Sequence, residues 1–349
     1  MLKNEDSLRL QLLRFPLIVG VVFIHAYTLT TNPSAAGASH INEFVQTLIS
    51  QELARCAVPL FFLMSGYLFF SGAEWSTDQY KNKIQSRVHT LLIPFLFWNV
   101  LVLLLFAAAQ SYPKTESFFS GKMILISDYG IFDYINAIFG INRFPASYQF
   151  WFIRDLMILV LLAPLISQLL KKIPAISLAT LLTVWFFSFG GNASESALFF
   201  ILGAYFGIKR QSLFLLDKQA KWIFPLYIVI VVTNSAFPDT QVYRYFHKIG
   251  IILGIPAFIY LTKEIAKMTA LKNALVVLGS ASFFVFAAHE PLLTVIRKIA
   301  YKILQPQHAE KILAIYFISV TATVAICICL FFLLKLVFPK FTKLIAGGR

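Results

Sequence analysis

The sequence predicts an all-α fold, a polytopic integral membrane bundle of about ten transmembrane helices with both termini in the cytoplasm. Hydrophobic residues make up 58% of the 349 residues and charged residues only 13%, whereas soluble domains have about 45–50% apolar and about 25% charged residues. The mean hydropathy is +0.75. This composition excludes disordered, collagen-like and disulfide-rich chains and ordinary cytosolic enzymes. It is typical of a chain surrounded mostly by lipid, with spans of about 20 apolar residues.

Ten apolar segments are predicted to span the membrane, and they are joined by short loops. No internal repeat, low-complexity tract or appended soluble domain is visible, so residues 1–349 are taken as a single membrane-embedded domain. The first segment contains Arg14 and His25 and lacks a clear small-residue cleavage site, so we expect a span there rather than a signal peptide. The segments lie near residues 12–30, 46–71, 91–110, 149–170, 174–190, 195–208, 222–237, 248–262, 273–294 and 312–334.

Charge sets the orientation. The chain has 30 Lys and Arg residues against 16 Asp and Glu residues, a net charge of +14. With the N-terminus in the cytoplasm, the larger share of the basic residues falls on the inner side, as the positive-inside rule requires. The excess charge therefore predicts contact with anionic membrane lipid rather than with nucleic acid. The same orientation places the long segment 111–148 outside, where it is expected to cover an outward-facing cleft.

Cysteine usage adds no metal or disulfide site. Cys56, Cys327 and Cys329 all fall within apolar stretches, in a pattern that fits neither a disulfide framework nor a zinc site. We expect no bound metal.

Polar residues within the spans are the informative ones, because a charge at the centre of a spanning helix costs roughly 2.5–3.5 kcal/mol. The first cluster is in the first span. Arg14 and His25 are eleven residues apart, which places them on one helix face about 16 Å apart along the axis. Arginine binds phosphate by bidentate hydrogen bonds, and histidine accepts a hydroxyl proton near neutral pH. The alternative is a topological anchor at Arg14 and a structural hydrogen bond at His25.

The second cluster is Glu52 and Arg55, whose i,i+3 spacing allows them to neutralise each other on one helix face. A structural salt bridge is the alternative to a functional role here. Pro59 and Gly66 follow in the same span, and Gly66 allows close approach of another helix.

The third and fourth clusters lie at the outer ends of later spans. Arg154 and Asp155 are adjacent, so they point to different sides of a helix and are expected to meet partners elsewhere rather than each other. His289 and Glu290 stand together near the end of the ninth segment. A histidine beside a glutamate, with His25 at the same depth, raises the expectation of a site.

Depth divides these residues into two groups. An outer-half group is predicted at His25, Glu52, Arg55, Arg154, Asp155, His289 and Glu290, and an inner-face group at Arg14, Lys83 and Arg87. The pattern describes a conduit with a cationic inner mouth and an ionisable outer chamber. It suits an anionic donor from the cytoplasm and a polar acceptor outside.

The chain resembles the acyltransferase type 3 family of integral membrane acyltransferases. The motifs that carry the resemblance cover nearly the whole chain: Arg14 and His25 with ten residues between them, the stretch from Arg55 through Val58-Pro-Leu-Phe-Phe-Leu-Met-Ser-Gly-Tyr67, Trp151-Phe152, Phe200-Ile-Leu-Gly-Ala-Tyr205, and Ser282 to His289-x-Pro291. The resemblance implies an acyltransferase of the bacterial inner or plasma membrane. It also implies an acetyl-CoA or other acyl-CoA donor, and a glycan or lipid-linked sugar acceptor with glycan-assembly proteins as partners.

The resemblance also assigns roles to residues. His25 would be the catalytic residue and Arg14 would serve the donor. The family tends to carry paired basic residues three apart before a proline in the first cytoplasmic loop. Arg87 matches the first of these, but Thr90 occupies the second position, so Lys83 or His89 would have to supply the missing charge.

The leading hypothesis is transfer of an acetyl or similar short acyl group from CoA to a glycan hydroxyl. His25 would act as general base or transient acyl carrier, oriented by Glu52, Asp155 or Glu290, and Arg55 or Arg154 would stabilise the oxyanion. Ser65 and Cys56 are weaker nucleophile candidates. A glycan or lipid-intermediate exporter also fits intramembrane charge and broken helices. A third hypothesis is a non-catalytic assembly subunit, which would be insensitive to replacement of His25.

Overall fold

A computed structural model of the chain describes residues 4–28, 36–72, 76–112, 124–238, 240 and 242–348. Within these ranges the chain is helical and contains no β-strand. The α-helices are α1 (Asn4–Ala26), α2 (Ala36–Gln46), α3 (Ala57–Phe70), α4 (Thr77–Arg87), α5 (Ile93–Gln110), α6 (Ile131–Phe139), α7 (Trp151–Leu161), α8 (Ala163–Lys172), α9 (Pro174–Phe186), α10 (Gly191–Ile208), α11 (Ala220–Ala236), α12 (Tyr243–Lys267), α13 (Thr269–Gly279), α14 (Ser282–Leu304), α15 (Ala309–Val337) and α16 (Pro339–Ile345). The π-helix Thr47–Leu53 follows α2 and leads through a 3₁₀ turn at Ala54–Cys56 into α3. The π-helix Val88–Leu92 joins α4 to α5.

Each of the ten predicted segments overlaps a helix, so the all-helical fold is confirmed for the described residues. By length and composition, 5 continuous helical segments of the described chain can cross a membrane, or up to 7 if each of two bent pairs is one span. The five segments are Glu5–Ala26, His40–Phe70, Thr77–Gln110, Tyr243–Lys267 and Ala309–Val337. The bends are 63° between α7 and α8 and 65° between α13 and α14. Helices α9 and α11 are apolar but shorter. Ten crossings and cytoplasmic termini stay predictions, and residues 1–3 and 349 lie outside the described part of the chain.

Glycines bring α3 and α10 into direct backbone contact. A Cβ on Gly66 would overlap the carbonyl of Phe200, and a Cβ on Gly203 would overlap the carbonyl of Leu63. At Gly207 a Cβ would lie 2.8 Å from a carbonyl oxygen of α3. The spacing of Gly203 and Gly207 is the G-x-x-x-G arrangement that lets spanning helices approach closely. The expectation that Gly66 allows close packing is confirmed.

A buried ion pair fastens the start of α1. Arg9 is only 4% exposed, and its Nη1 and Nη2 donate to the two carboxylate oxygens of Asp217 at 2.6 and 2.9 Å. Its Nε donates to Thr262 of α12 at 3.0 Å, and its guanidinium lies 3.9 Å from the centre of the Phe214 ring. These contacts join α1, α12 and the turn before α11 at one end of the bundle.

The segment predicted as an outer loop packs along α5. Its backbone is held at Ile126 by Gln110 Oε1 (2.9 Å) and at Ser147 by Asn99 Oδ1 (3.0 Å). The outward face of α6 is apolar, with Phe132 86% exposed, so it suits lipid rather than sugar. The segment ends at Tyr148, beside the C-terminal end of α1. Residues 113–123 of the predicted loop lie outside the described ranges.

Candidate functional site

A cavity of about 320 Å³ runs through the bundle, and we call it the central cavity. His25 and Arg87 both line it, together with Arg55, Ser65 and Gln149. Arg55 and Ser65 belong to one continuous run of helix and are ten residues apart, which corresponds to about 15 Å. The cavity is therefore long enough to connect the predicted outer and inner groups of polar residues.

Helix α1 supplies one stripe of this cavity. Ile18, Val21 and His25 line it. Arg14 lies four residues before Ile18 in the continuous helix Asn4–Ala26, so it lies on the same helix face, one turn towards the N-terminus. The predicted alignment of Arg14 with His25 is therefore present. The wall of the central cavity does not include Arg14 itself.

Tyr148 and Glu290 form a hydrogen-bonded chain with His25. The Tyr148 hydroxyl lies 2.9 Å from His25 Nδ1 and donates to Glu290 Oε1 at 3.4 Å. Thr294 donates to the same carboxylate oxygen at 3.1 Å. Because the phenol hydrogen goes to the carboxylate, the phenol oxygen accepts from His25 Nδ1–H, an assignment made from the partners. Nε2 is then the unprotonated nitrogen of His25. Of the three carboxylates predicted to orient His25, Glu290 is the one in this chain.

His289 packs directly on His25. The two rings are stacked with centroids 5.2 Å apart. His289 Nδ1 lies 2.7 Å from the Phe286 carbonyl oxygen, which can only accept, so Nδ1 carries the hydrogen. Its Nε2 is buried and has no hydrogen-bond partner among the described residues. The His289–Glu290 pair therefore adjoins His25.

Glu52 and Arg55 do not pair with each other, so the structural i,i+3 salt bridge that was the alternative to a functional role does not form. Arg55 Nε and Nη2 donate to Gln51 Oε1 at 3.0 and 2.5 Å. Buried Glu52 instead contacts His247 Nδ1 at 3.1 Å and accepts from Asn234 at 3.2 Å. The reason is the π-helix Thr47–Leu53, followed by a 3₁₀ turn at Ala54–Cys56. The helix type changes between the two residues, so the regular α-helical geometry behind the expected pairing does not apply here.

Arg154 and Asp155 do pair with each other, which corrects the opposite expectation. Arg154 Nε and Nη2 donate to Asp155 Oδ1 at 3.0 and 2.9 Å, because the long arginine side chain curls back past its own backbone. Arg154 also donates to the Gly140 carbonyl, and Ser196 donates to Asp155 Oδ2 at 3.1 Å. The charges of this pair are balanced locally.

The Arg154–Asp155 pair lines a different space from His25. It faces a largely apolar lateral cavity of about 650 Å³ between α4, the Gly140 turn and α7. Arg87 lines this lateral cavity as well as the central one. The predicted single outer chamber is therefore divided, with Arg154 and Asp155 nearer to Arg87 than the sequence suggested.

Lys83 and Arg87 of the predicted inner-face group, and His89 beside them, differ in what they contact. Lys83 donates to the carbonyl of Phe69 at the end of α3, so it serves as a helix cap. Arg87 lies 6.0 Å from the centre of the Phe69 ring and faces the central cavity. His89 is exposed and its Nδ1 lies 3.0 Å from the Gln85 carbonyl. Neither Lys83 nor His89 lines the central cavity, so neither supplies the missing charge there.

Ser65 and Cys56, the weaker nucleophile candidates, differ in their access to the central cavity. Ser65 lines the central cavity, whereas buried Cys56 lies against the Tyr227 hydroxyl at 3.8 Å and does not. Ser65 therefore has access to a ligand in the cavity and Cys56 has none.

Several residues at the cavity were not predicted from the sequence. Gln149, Asn192, Glu195 and His247 line the central cavity, and Tyr148 lies beside it on His25. Gln149 donates to the Ala287 carbonyl at 3.1 Å and fixes the end of the segment over His25. The only local signal was the polar pair Tyr148-Gln149 just before Trp151. Glu195 lies among small polar residues at the start of α10 and His247 stands beside Lys248, and nothing in their spacing relates them to His25.

Comparisons with known proteins show which family the chain resembles. A family model described as an acyltransferase domain, that of the type 3 acyltransferases, matches residues 8–332. Succinoglycan biosynthesis protein ExoH of Rhizobium meliloti (strain 1021) is 26% identical over 302 residues, which are 82% of this chain and 78% of that protein. No solved structure matches significantly.

Proposed function

The chain belongs to the acyltransferase type 3 family, and on that premise we propose that it moves a short acyl group, such as acetyl, from cytoplasmic acyl-CoA to a hydroxyl of a cell-surface glycan or its lipid-linked precursor. The observation that carries the proposal is the central cavity, which both His25 and Arg87 line. The printed name of the relative, a succinoglycan biosynthesis protein, supports a glycan acceptor.

Arg87 and Arg14 serve the donor in this proposal. Guanidinium groups bind phosphate oxygens by paired hydrogen bonds. Arg87 lines the central cavity, and Arg14 lies on the α1 stripe that leads to His25. The phosphates of CoA would lie against them while the extended pantetheine arm carries the thioester toward His25, over the distance that α1 spans between residues 14 and 25.

His25 Nε2 is the general base. It takes the proton of the acceptor hydroxyl as that oxygen bonds to the thioester carbonyl carbon. When the carbon–sulfur bond breaks, the imidazolium returns the proton to the departing thiolate, so the products are an ester and a free thiol. Tyr148 and Glu290 hold Nδ1–H throughout and stabilise the transient imidazolium.

Arg55 stabilises the oxyanion. Its Nε and Nη2 are held by Gln51, which fixes the guanidinium against the cavity and leaves Nη1 to face a ligand. A fixed donor is more effective than a mobile one, because it needs no reorganisation as charge develops. Arg154 is not suited to this role, since Asp155 already neutralises it.

Incorporation of labelled acyl-CoA tests the proposal against the exporter alternative. Membranes with the chain, incubated with acetyl-labelled acetyl-CoA and glycan from cells lacking the gene, should transfer label to the glycan. Membranes with the His25→Ala variant at equal protein level should not. Transport of glycan without incorporation of label from any short acyl-CoA would favour an exporter.

A further inference from the structure

We propose that Glu195 and His247 form the subsite that holds the acceptor sugar, by accepting hydrogen bonds from the hydroxyls of a neutral pyranose. The inference rests on the proposed function, since both residues line the same central cavity as His25. Glu195 lies in the first turns of α10 and His247 in the first turns of α12. These two ends meet the C-terminal end of α1 at the cavity.

Glu195 is held so that one carboxylate oxygen is left for a ligand. Trp185 Nε1 donates to Glu195 Oε2 at 3.2 Å. The indole is buried and packs edge-to-face on Phe199 with ring centroids 5.3 Å apart, and Lys248 Nζ donates to the Trp185 backbone carbonyl at 2.5 Å, which together hold Trp185 in place. Glu195 Oε1 is therefore an acceptor of fixed direction in the cavity wall.

His247 presents a second acceptor of fixed direction. Its Nδ1 lies 3.1 Å from Glu52 Oε1, and Asn234 donates to the other oxygen of Glu52 at 3.2 Å. Since Glu52 is only 2% exposed and already satisfied, it holds the Nδ1–H tautomer of His247. His247 Nε2 then accepts from a ligand in the cavity. Glu52 is a positioning residue here, one step behind the wall.

Two oriented acceptors select a ligand rich in hydroxyl donors. A pyranose offers neighbouring O–H groups that satisfy both, whereas the phosphates of CoA would be repelled by the Glu195 carboxylate. Asn192 of the same cavity adds an amide that both donates and accepts. The structure thus separates an acceptor end, with Glu195 and His247, from a donor end at Arg87.

Equilibrium dialysis of radiolabelled cellobiose against the full chain in lipid nanodiscs tests the subsite without requiring turnover. Wild-type protein should bind cellobiose saturably, and Glu195→Gln and His247→Asn should each weaken binding about tenfold, the loss expected for one hydrogen bond to a charged or oriented acceptor. His247→Gln, whose amide reaches the Nε2 position, should retain more binding than His247→Asn. Glu264→Gln, an exposed carboxylate on the same helix as His247, is the matched control and should bind as wild type does.

Unchanged binding in both Glu195→Gln and His247→Asn, or no binding by the wild type, would overturn the subsite. In the transfer assay, Glu195→Gln should raise KM for the acceptor about tenfold and leave KM for acyl-CoA unchanged. Acyl transfer with an unaltered acceptor KM would refute the subsite and leave the proposed function standing. Specific sugar binding without any acyl transfer would support the subsite and refute the proposed function.

Discussion

His25 gains its chemistry from partners that arrive from distant parts of the chain. Tyr148 ends the segment that packs along α5, and Glu290 stands where α14 departs from helical geometry, at φ −111° and ψ 135°. The break turns the Glu290 carboxylate toward the phenol instead of along the helix surface. A base needs a fixed tautomer, and these two residues provide it without taking up Nε2.

Replacing Tyr148 by Phe should lower kcat about tenfold to a hundredfold while KM for both substrates stays near the wild-type value, because the change removes only the acceptor that holds Nδ1–H. Steady-state kinetics in nanodiscs measure this. Tyr134→Phe is the matched control, since that hydroxyl donates to the Ile126 carbonyl away from the cavity. Equal rates for the two variants would remove Tyr148 from the account.

Replacing Arg87 by Ala should raise KM for acyl-CoA about tenfold with little change in acceptor KM, because one charge-assisted contact to phosphate is lost. Lys171→Ala removes an exposed basic residue outside both cavities and controls for general surface charge. A change confined to the acceptor KM would show that Arg87 does not serve the donor.

Sequence patterns locate residues well when one helix fixes their relation. Arg14 and His25 are such a case, because the rise and twist of a continuous α-helix determine their common face. Tyr148 and Glu195 could not be found this way, since their relation to His25 depends on how separate helices pack. The prediction that Arg154 and Asp155 do not pair was wrong for a smaller reason, because backbone spacing says nothing about a long side chain that folds back.

At the scale of elements, irregular helix turns decide which polar groups meet. The π-helix at Thr47–Leu53 sends Glu52 toward α11 and α12 while Arg55 faces the cavity. The sequence of this span predicts an ordinary helix period, so the π turn was not anticipated. The close helix approach at Gly66 of α3 was easier to anticipate, because small residues mark such contacts on their own.

Gly203→Val should destabilise the protein by about 2 kcal/mol or more and lower its apparent Tm in detergent, because any Cβ at this position meets the backbone of α3. Gly279→Ala is the matched control, a buried glycine whose added Cβ would lie 3.7 Å from the nearest atom. A Tm for Gly203→Val equal to that of the control would contradict the contact between α3 and α10.

The Arg9 clamp should be a second point of high sensitivity. Asp217→Asn leaves a buried guanidinium without its charge partner, which costs about 3 kcal/mol for buried pairs. The variant should therefore unfold at lower temperature in a detergent melt. Glu264→Gln removes a partner from an exposed pair and should melt as wild type does. Equal melting of both variants would show that the clamp contributes nothing.

At the scale of the whole molecule, the account requires His25 and Arg87 to face opposite sides of the membrane through one cavity. In a background without the three native cysteines, Ser127→Cys should react with a membrane-impermeant thiol reagent added outside cells, because Ser127 is exposed on the predicted outer segment. Lys171→Cys, at an exposed position in the last turn of α8, should react only after permeabilisation. The reverse pattern would exchange the donor and acceptor sides.

Acyl transfer by this protein can be tested by mass spectrometry of the surface glycan from cells lacking the gene, complemented with wild type or with His25→Ala at matched membrane levels. We expect the glycan to carry an added acyl mass with wild type and to lack it both with His25→Ala and without the gene. An identical acyl mass on the glycan in all three strains would contradict acyl transfer by this protein. The same mass with His25→Ala as with wild type, but not without the gene, would contradict the role of His25 as its base.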